Sequence, residues 1–220
     1  DYAEAHGAKV ILYGQSLDDT LNRAKILAKE SKATFLHPFE DPAMMAGAGT
    51  VGLEILEQNP DTDAVLVPVG GGALLAGIAT AIKEKNSKIA VIGVQTQACS
   101  NFYKAYHSKN LESVQLSAEL PHTIADAINV GLVSKANFKI IEPLVDDFLV
   151  VADEQLVSTM ISLLEQGHLV VEGASAIPLS ALLEDQVPAK YRNVTLVISG
   201  GNADSALLSK IINHGLSKRD

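Results

Sequence analysis

Cysteine is nearly missing from this chain: Cys99 is the only one in 220 residues. A lone thiol excludes an intrachain disulfide framework and any multi-cysteine metal site. In the stretch QTQACSNF it reads as a packing residue, with a nucleophile as the alternative. Long apolar runs are also missing. None reaches the roughly 20 residues that cross a bilayer, and the opening DYAEAHGAKV lacks the charged-then-apolar order of a signal peptide. A soluble cytoplasmic protein without a membrane partner is therefore expected. The net charge of −9 is spread without acidic blocks, and the basic residues do not cluster with aromatics, which argues against nucleic acid as a partner. No internal repeat, low-complexity segment or linker interrupts the chain.

What is present suits a packed domain. With 47% hydrophobic residues, the chain can bury a sizeable core, as one large domain or one domain with part of another. The opening predicts strand, helix, strand: KVILY at 9–13, an apolar-periodic helix over 18–31, and a short strand at 34–36. A helix over 42–58 follows, with Gly47, Gly49 and Gly52 marking close packing rather than a bend. Strands are predicted at 64–69, 89–95, 148–151 and 194–198. Helices are predicted at 74–82, 98–109, 153–167, 172–183 and 204–216, the third of them capped by Asp153. Residues 111–129 read as irregular, with a helix beginning at Thr123. Alternating strands and helices give an α/β fold, a three-layer open and mostly parallel sheet, whose ligands bind beyond the carboxyl ends of the strands.

Two strand ends are rich in glycine, VPVGGGAL and VISGGN. In the first, Gly70, Gly71 and Gly72 remove every Cβ from a strand-to-helix turn. Backbone N–H groups can then converge on an anion at the positive end of the helix that follows Ala73 from Leu74. A tight reversal without a ligand is the alternative. The turn is not GxGxxG, and it lacks the Lys-Ser/Thr pair of a triphosphate loop, although a plain nucleotide-binding domain stays open.

With these motifs in order, HPFEDP, AGAGTVGLEIL, VPVGGGALLAG, HTIADAINVG, VVEGASAI and VISGGN, the chain resembles the fold type II pyridoxal phosphate enzymes. The likeness is to the threonine and serine dehydratases and serine racemase, within the tryptophan synthase β-like superfamily, and it covers essentially all 220 residues. It implies pyridoxal 5'-phosphate as cofactor, with Gly70, Gly71, Gly72, Ala73 and Leu74 holding its phosphate. Ser199 would meet the pyridine nitrogen, Glu172 would lie near the ring, and Asn202 would support the Ser199 turn. A neutral hydroxyl does not keep that nitrogen protonated, which favours β-elimination over transamination. Read without the resemblance, the lesser alternative for Ser199 is a helix-capping serine, while Glu172 is equally a helix-start carboxylate.

The family's Schiff-base lysine lies in an S-x-K-x-R-G segment that does not occur here, and its SxGN substrate loop follows that lysine, so the resemblance implies that both lie upstream of this sequence. The resemblance therefore implies a C-terminal portion of the enzyme. Residues 1–40 would be the latter part of a small cofactor-side domain, and 41–220 the large domain without its first elements. No catalytic residue is expected in this chain, and the chain alone is expected to be inactive. The implied function is deamination of a small β-hydroxy amino acid, L-threonine or L-serine, to a 2-oxo acid. Amino-acid racemisation, or a non-catalytic half-enzyme that binds the missing N-terminal segment or a complementary chain, are the alternatives. The family is usually dimeric or tetrameric, so a homo-oligomer is expected. With 18 residues after SGGN, no regulatory domain is expected. Where several relatives bind a divalent cation through carboxylates, this chain has Gln95 and Asn101, so no metal is expected. Ala73 and Ala127 replace usual glycines, each adding a methyl group at the site.

Overall fold

A computed structural model of the chain describes residues 2–114 and 120–217. They fall into two compact units, Asp1–Pro38 and Phe39–Asp220.

In the first unit, α1 spans Tyr2–Ala5 and α2 spans Leu17–Ser31. A capping box starts α2. Ser16 Oγ accepts from the Asp19 N–H at 3.1 Å, and the Asp19 carboxylate accepts from the Ser16 N–H at 3.2 Å. The strands expected at 9–13 and 34–36 are not formed. Both stretches are irregular and have no ladder partner among the described residues, and Leu12 and Leu36 are 93% and 64% exposed. β-Branched composition favours a strand only where a neighbour takes up its N–H and C=O groups.

The second unit carries four strands, β1 (Ala64–Pro68), β2 (Ala90–Thr96), β3 (Asp147–Val151) and β4 (Val194–Leu196). They form one parallel sheet in the order β3-β2-β1-β4. Its helices are α3 (Pro42–Gln58), α4 (Ala73–Lys85), α5 (Asn101–Ser108), α6 (Lys135–Leu144), α7 (Asp153–Glu165), α8 (Gly173–Leu183) and α9 (Ser205–Ser217). β1 and β2 are buried along their whole lengths, and successive residues serve opposite faces. Ala64, Leu66, Ile92 and Val94 pack with Leu156, Met160, Ile177 and Ile211 from α7, α8 and α9. Val65, Val67 and Val91 pack with Leu75, Ile78, Phe102, Phe138 and Ile141 from α4, α5 and α6. Two cores on two faces make the three-layer parallel fold that the alternating pattern predicts.

Glycines let α3 and α4 touch. A Cβ on Gly52 would lie 3.0 Å from the Ile78 carbonyl oxygen, and one on Gly77 would lie 2.3 Å from that of Met45. Close packing is the reason for Gly49 and Gly52, while Gly47 faces open space.

Other elements differ from expectation. α6 went unanticipated: Ser134 caps it by accepting from the Asn137 N–H at 3.2 Å, and Pro143 sits in its last turn, where it mimics a helix breaker in the sequence. The N-cap of α7 is Ala152, not Asp153. The Asp153 carboxylate instead accepts from the Ala98 N–H at 3.3 Å and from the Thr123 hydroxyl. No helix begins at Thr123; a single 3-10 turn at Asp126–Ile128 follows it. Because the strands are parallel, residues 70–72 beyond β1 and 199–202 beyond its neighbour β4 lie at the same edge of the sheet.

Candidate functional site

Gly72 is the N-cap of α4, at φ +91°, with no side chain to cap the helix. Among the described residues no acceptor meets the N–H groups of Gly70, Gly71 or Gly72. Gly72 is buried, and a buried N–H without a partner is costly unless a ligand takes it. Packing also demands glycine here. A Cβ would lie 2.9 Å from Ile128 Cα at Gly70, 2.2 Å from Phe39 Cγ at Gly71 and 2.7 Å from Phe102 Cζ at Gly72. The turn is therefore pressed from behind by protein and presents N–H groups at the positive end of a helix, an arrangement suited to a phosphate. Ala73 and Leu74 open α4, and both are partly buried. Neither Ala73 nor Ala127 has a positive φ, so the backbone tolerates both methyl groups.

Beyond β4, Ser199 is exposed and held from below. Its hydroxyl lies 3.2 Å from that of Ser175, a wholly buried residue of α8. Ser175 Oγ accepts from the Gly200 N–H and donates to the Gly200 carbonyl, both at 2.7 Å. The Glu172 N–H donates to the same carbonyl at 3.2 Å. A Cβ on Gly200 would lie 3.0 Å from a Glu172 carboxylate oxygen. Burial first, and the charge of Asp126 second, push the Glu172 carboxyl above the ordinary glutamate range. Ser199 and Glu172 are thus brought together through Gly200. Asn202 is exposed and makes no bond to this turn among the described residues. The support expected from it comes from Ser175, whose signal in the sequence is a serine inside an otherwise apolar helix.

The segment 124–128 links the two halves. Gly70 packs on Ile128, and a Cβ on Gly173 would lie 2.2 Å from the Ile124 carbonyl oxygen. The Thr123 hydroxyl, which donates to Asp153, accepts from the Ala125 N–H at 3.1 Å. Beside Gly70 opens a cavity of about 460 Å³ whose lining includes Gln95, Cys99, Asn101, Lys104 and His122. Gln95 is buried, and both ends of its amide are occupied: Nε2 donates to the Val69 carbonyl at 3.0 Å and Oε1 accepts from the Tyr103 N–H at 2.9 Å. Cys99 packs in the core, and burial raises its thiol above the ordinary range. Among the described residues no cluster of His, Cys, Asp or Glu could hold a metal ion, and no helix is long and apolar enough to cross a membrane.

The model of a family of pyridoxal-phosphate dependent enzymes matches residues 1–200. The chain belongs to that family. As a member of it, the chain is similar to a catabolic L-threonine dehydratase of Staphylococcus aureus, 37% identical over 220 residues that cover 99% of this chain and 62% of that protein. It is also similar in structure to a threonine deaminase from T.th., with a TM-score of 0.84 and 35% identity over 92% of this chain and 66% of that one. Maize serine racemase superposes with a TM-score of 0.86 at 28% identity, over 96% of this chain and 66% of that one. The chain spans about 62% of the dehydratase's length.

Proposed function

We propose that this chain is the larger, phosphate-holding part of a pyridoxal phosphate-dependent dehydratase. The enzyme would deaminate a small β-hydroxy amino acid, L-threonine or L-serine, to a 2-oxo acid and ammonia. The observation that carries the reading is the run of three successive N–H groups, Gly70 to Gly72, without an acceptor at the start of α4. Ala73 and Leu74 extend that cradle. When bound, pyridoxal phosphate supplies an electron sink that makes the Cα–H of an amino acid acidic. Ser199 would meet the ring nitrogen and, being neutral, would not hold a proton on it. Glu172, partly buried against Gly200, lines the ring. Residues 1–40 would belong to the small cofactor-side domain and 41–220 to the large one.

The lysine that removes the Cα proton would come from the stretch that relatives have and this chain does not span. It would be joined in the same polypeptide or supplied by a complementary chain, in a homo-oligomer. Incubating the 220-residue chain with pyridoxal phosphate and L-threonine or L-serine should release no 2-oxo acid. Adding the upstream lysine-bearing segment should restore release. Turnover by the chain alone would contradict this reading, and D-serine as the main product would select racemisation instead.

A further inference from the structure

We propose that Asn137 and Gln95 are positioning residues of the glycine turn, two buried amides that fix the direction in which its N–H groups face. This rests on the reading of that turn as an anion cradle. Asn137 is wholly buried on α6, and its Nδ2 donates to two carbonyls, those of Phe39 and Gly71, each at 2.7 Å. Only the nitrogen end of the amide can face two acceptors, so its orientation is determined. The Gly71 carbonyl and the Gly72 N–H belong to one trans peptide and point opposite ways. Holding that carbonyl against Asn137 turns the Gly72 N–H away from α6.

Gln95 does the same two peptides earlier. Its Nε2 holds the Val69 carbonyl at 3.0 Å, which turns the Gly70 N–H away from Gln95. The Tyr103 N–H fixes the other end of that amide at 2.9 Å. The clamped peptides alternate, 69–70 and 71–72, so two donors are aimed before a ligand arrives and binding need not order them.

Asn137 has a further mark of a functional role. Its Oδ1 is buried without a partner among the described residues, a cost that an apolar residue of similar size would avoid. An amide kept there with its acceptor unsatisfied and both donors engaged is kept for the donors. The ligand such a clamp suits is a phosphate monoester dianion.

The test is a titration of the ¹⁵N-labelled chain with inorganic phosphate, followed at the Gly70 and Gly72 amides. Both should shift along one saturation curve. Asn137→Leu should weaken phosphate binding about tenfold or more and abolish the Gly72 response while leaving that of Gly70. Gln95→Met should do the reverse. Folded variants that bind phosphate like the wild type would overturn the clamp alone. So would a wild type whose other amides respond while those of Gly70 and Gly72 do not, a result that needs no variant to fold. A wild type that binds no phosphate would overturn the cradle reading beneath it.

Discussion

The hydroxyls of Ser175 and Ser199 lie 3.2 Å apart, one buried and one exposed. Ser175 has one proton, and the Gly200 carbonyl at 2.7 Å takes it. The Ser199 proton is therefore the free one of the pair, available to Ser175 Oγ or to an acceptor arriving from solvent.

Substituting these two serines should separate support from contact. Ser175→Ala leaves the N–H and carbonyl of Gly200 without their side-chain partner and should cost about 1–3 kcal/mol. Ser199→Ala, at an exposed position, should stay within about 0.5 kcal/mol. Thermal melts of both variants check this, and equal melting temperatures would contradict the supporting role of Ser175.

Two glycines should respond in opposite directions. Gly72→Ala forces a residue with a side chain to φ +91° and drives its Cβ to 2.7 Å from Phe102 Cζ. The backbone contributes about 1–2 kcal/mol of destabilisation and the overpacking about 1–3 kcal/mol more. Gly47→Ala, in the interior of α3 with nothing within 4 Å of the new Cβ, should stabilise by about 0.4–1 kcal/mol. Chemical denaturation curves of the two variants measure both.

Glu172 and Asp63 should give pH dependences of opposite sign. Burial, then Asp126, raises the Glu172 carboxyl, so the folded state binds that proton more tightly than the unfolded state. Its contribution is complete below the ordinary glutamate value and is lost as pH rises through the folded value. Asp63 is lowered by the N–H groups of Asn193 and Arg192. Its contribution is present above the ordinary aspartate value and is lost as pH falls through the folded value. Glu172→Gln should thus melt above the wild type at neutral pH, with the gap closing in acid. Asp63→Asn should melt below it, again with the gap closing in acid. Melting temperatures across an acid-to-neutral series test both.

Much of this was legible in the sequence because the signals were local. The run AVLVP, the glycines after it and the apolar repeat of α4 each follow from backbone and burial rules, and they place the turn at the sheet edge. Gly49 and Gly52 likewise announce close helix packing. The two expected strands of the first unit failed because a strand depends on a neighbour that its own residues do not encode. Helix α6 was hidden by Pro143, and with it the link between Asn137 and Gly71, residues 66 positions apart. Ser175 and Gln95 were obscure for the same reason: their meaning lies in the backbone groups they reach across the fold. For Asp153, a local capping rule gave way to tertiary bonds with Ala98 and Thr123.

The central claim is that Gly70 to Leu74 hold the phosphate of the cofactor. Comparing pyridoxal phosphate with pyridoxal as ligands of the 220-residue chain, by calorimetry, tests it most directly. Pyridoxal phosphate should bind, inorganic phosphate should displace it, and pyridoxal should bind at least tenfold more weakly, a difference of about 1.4 kcal/mol. Equal affinity for the two ligands would contradict the account.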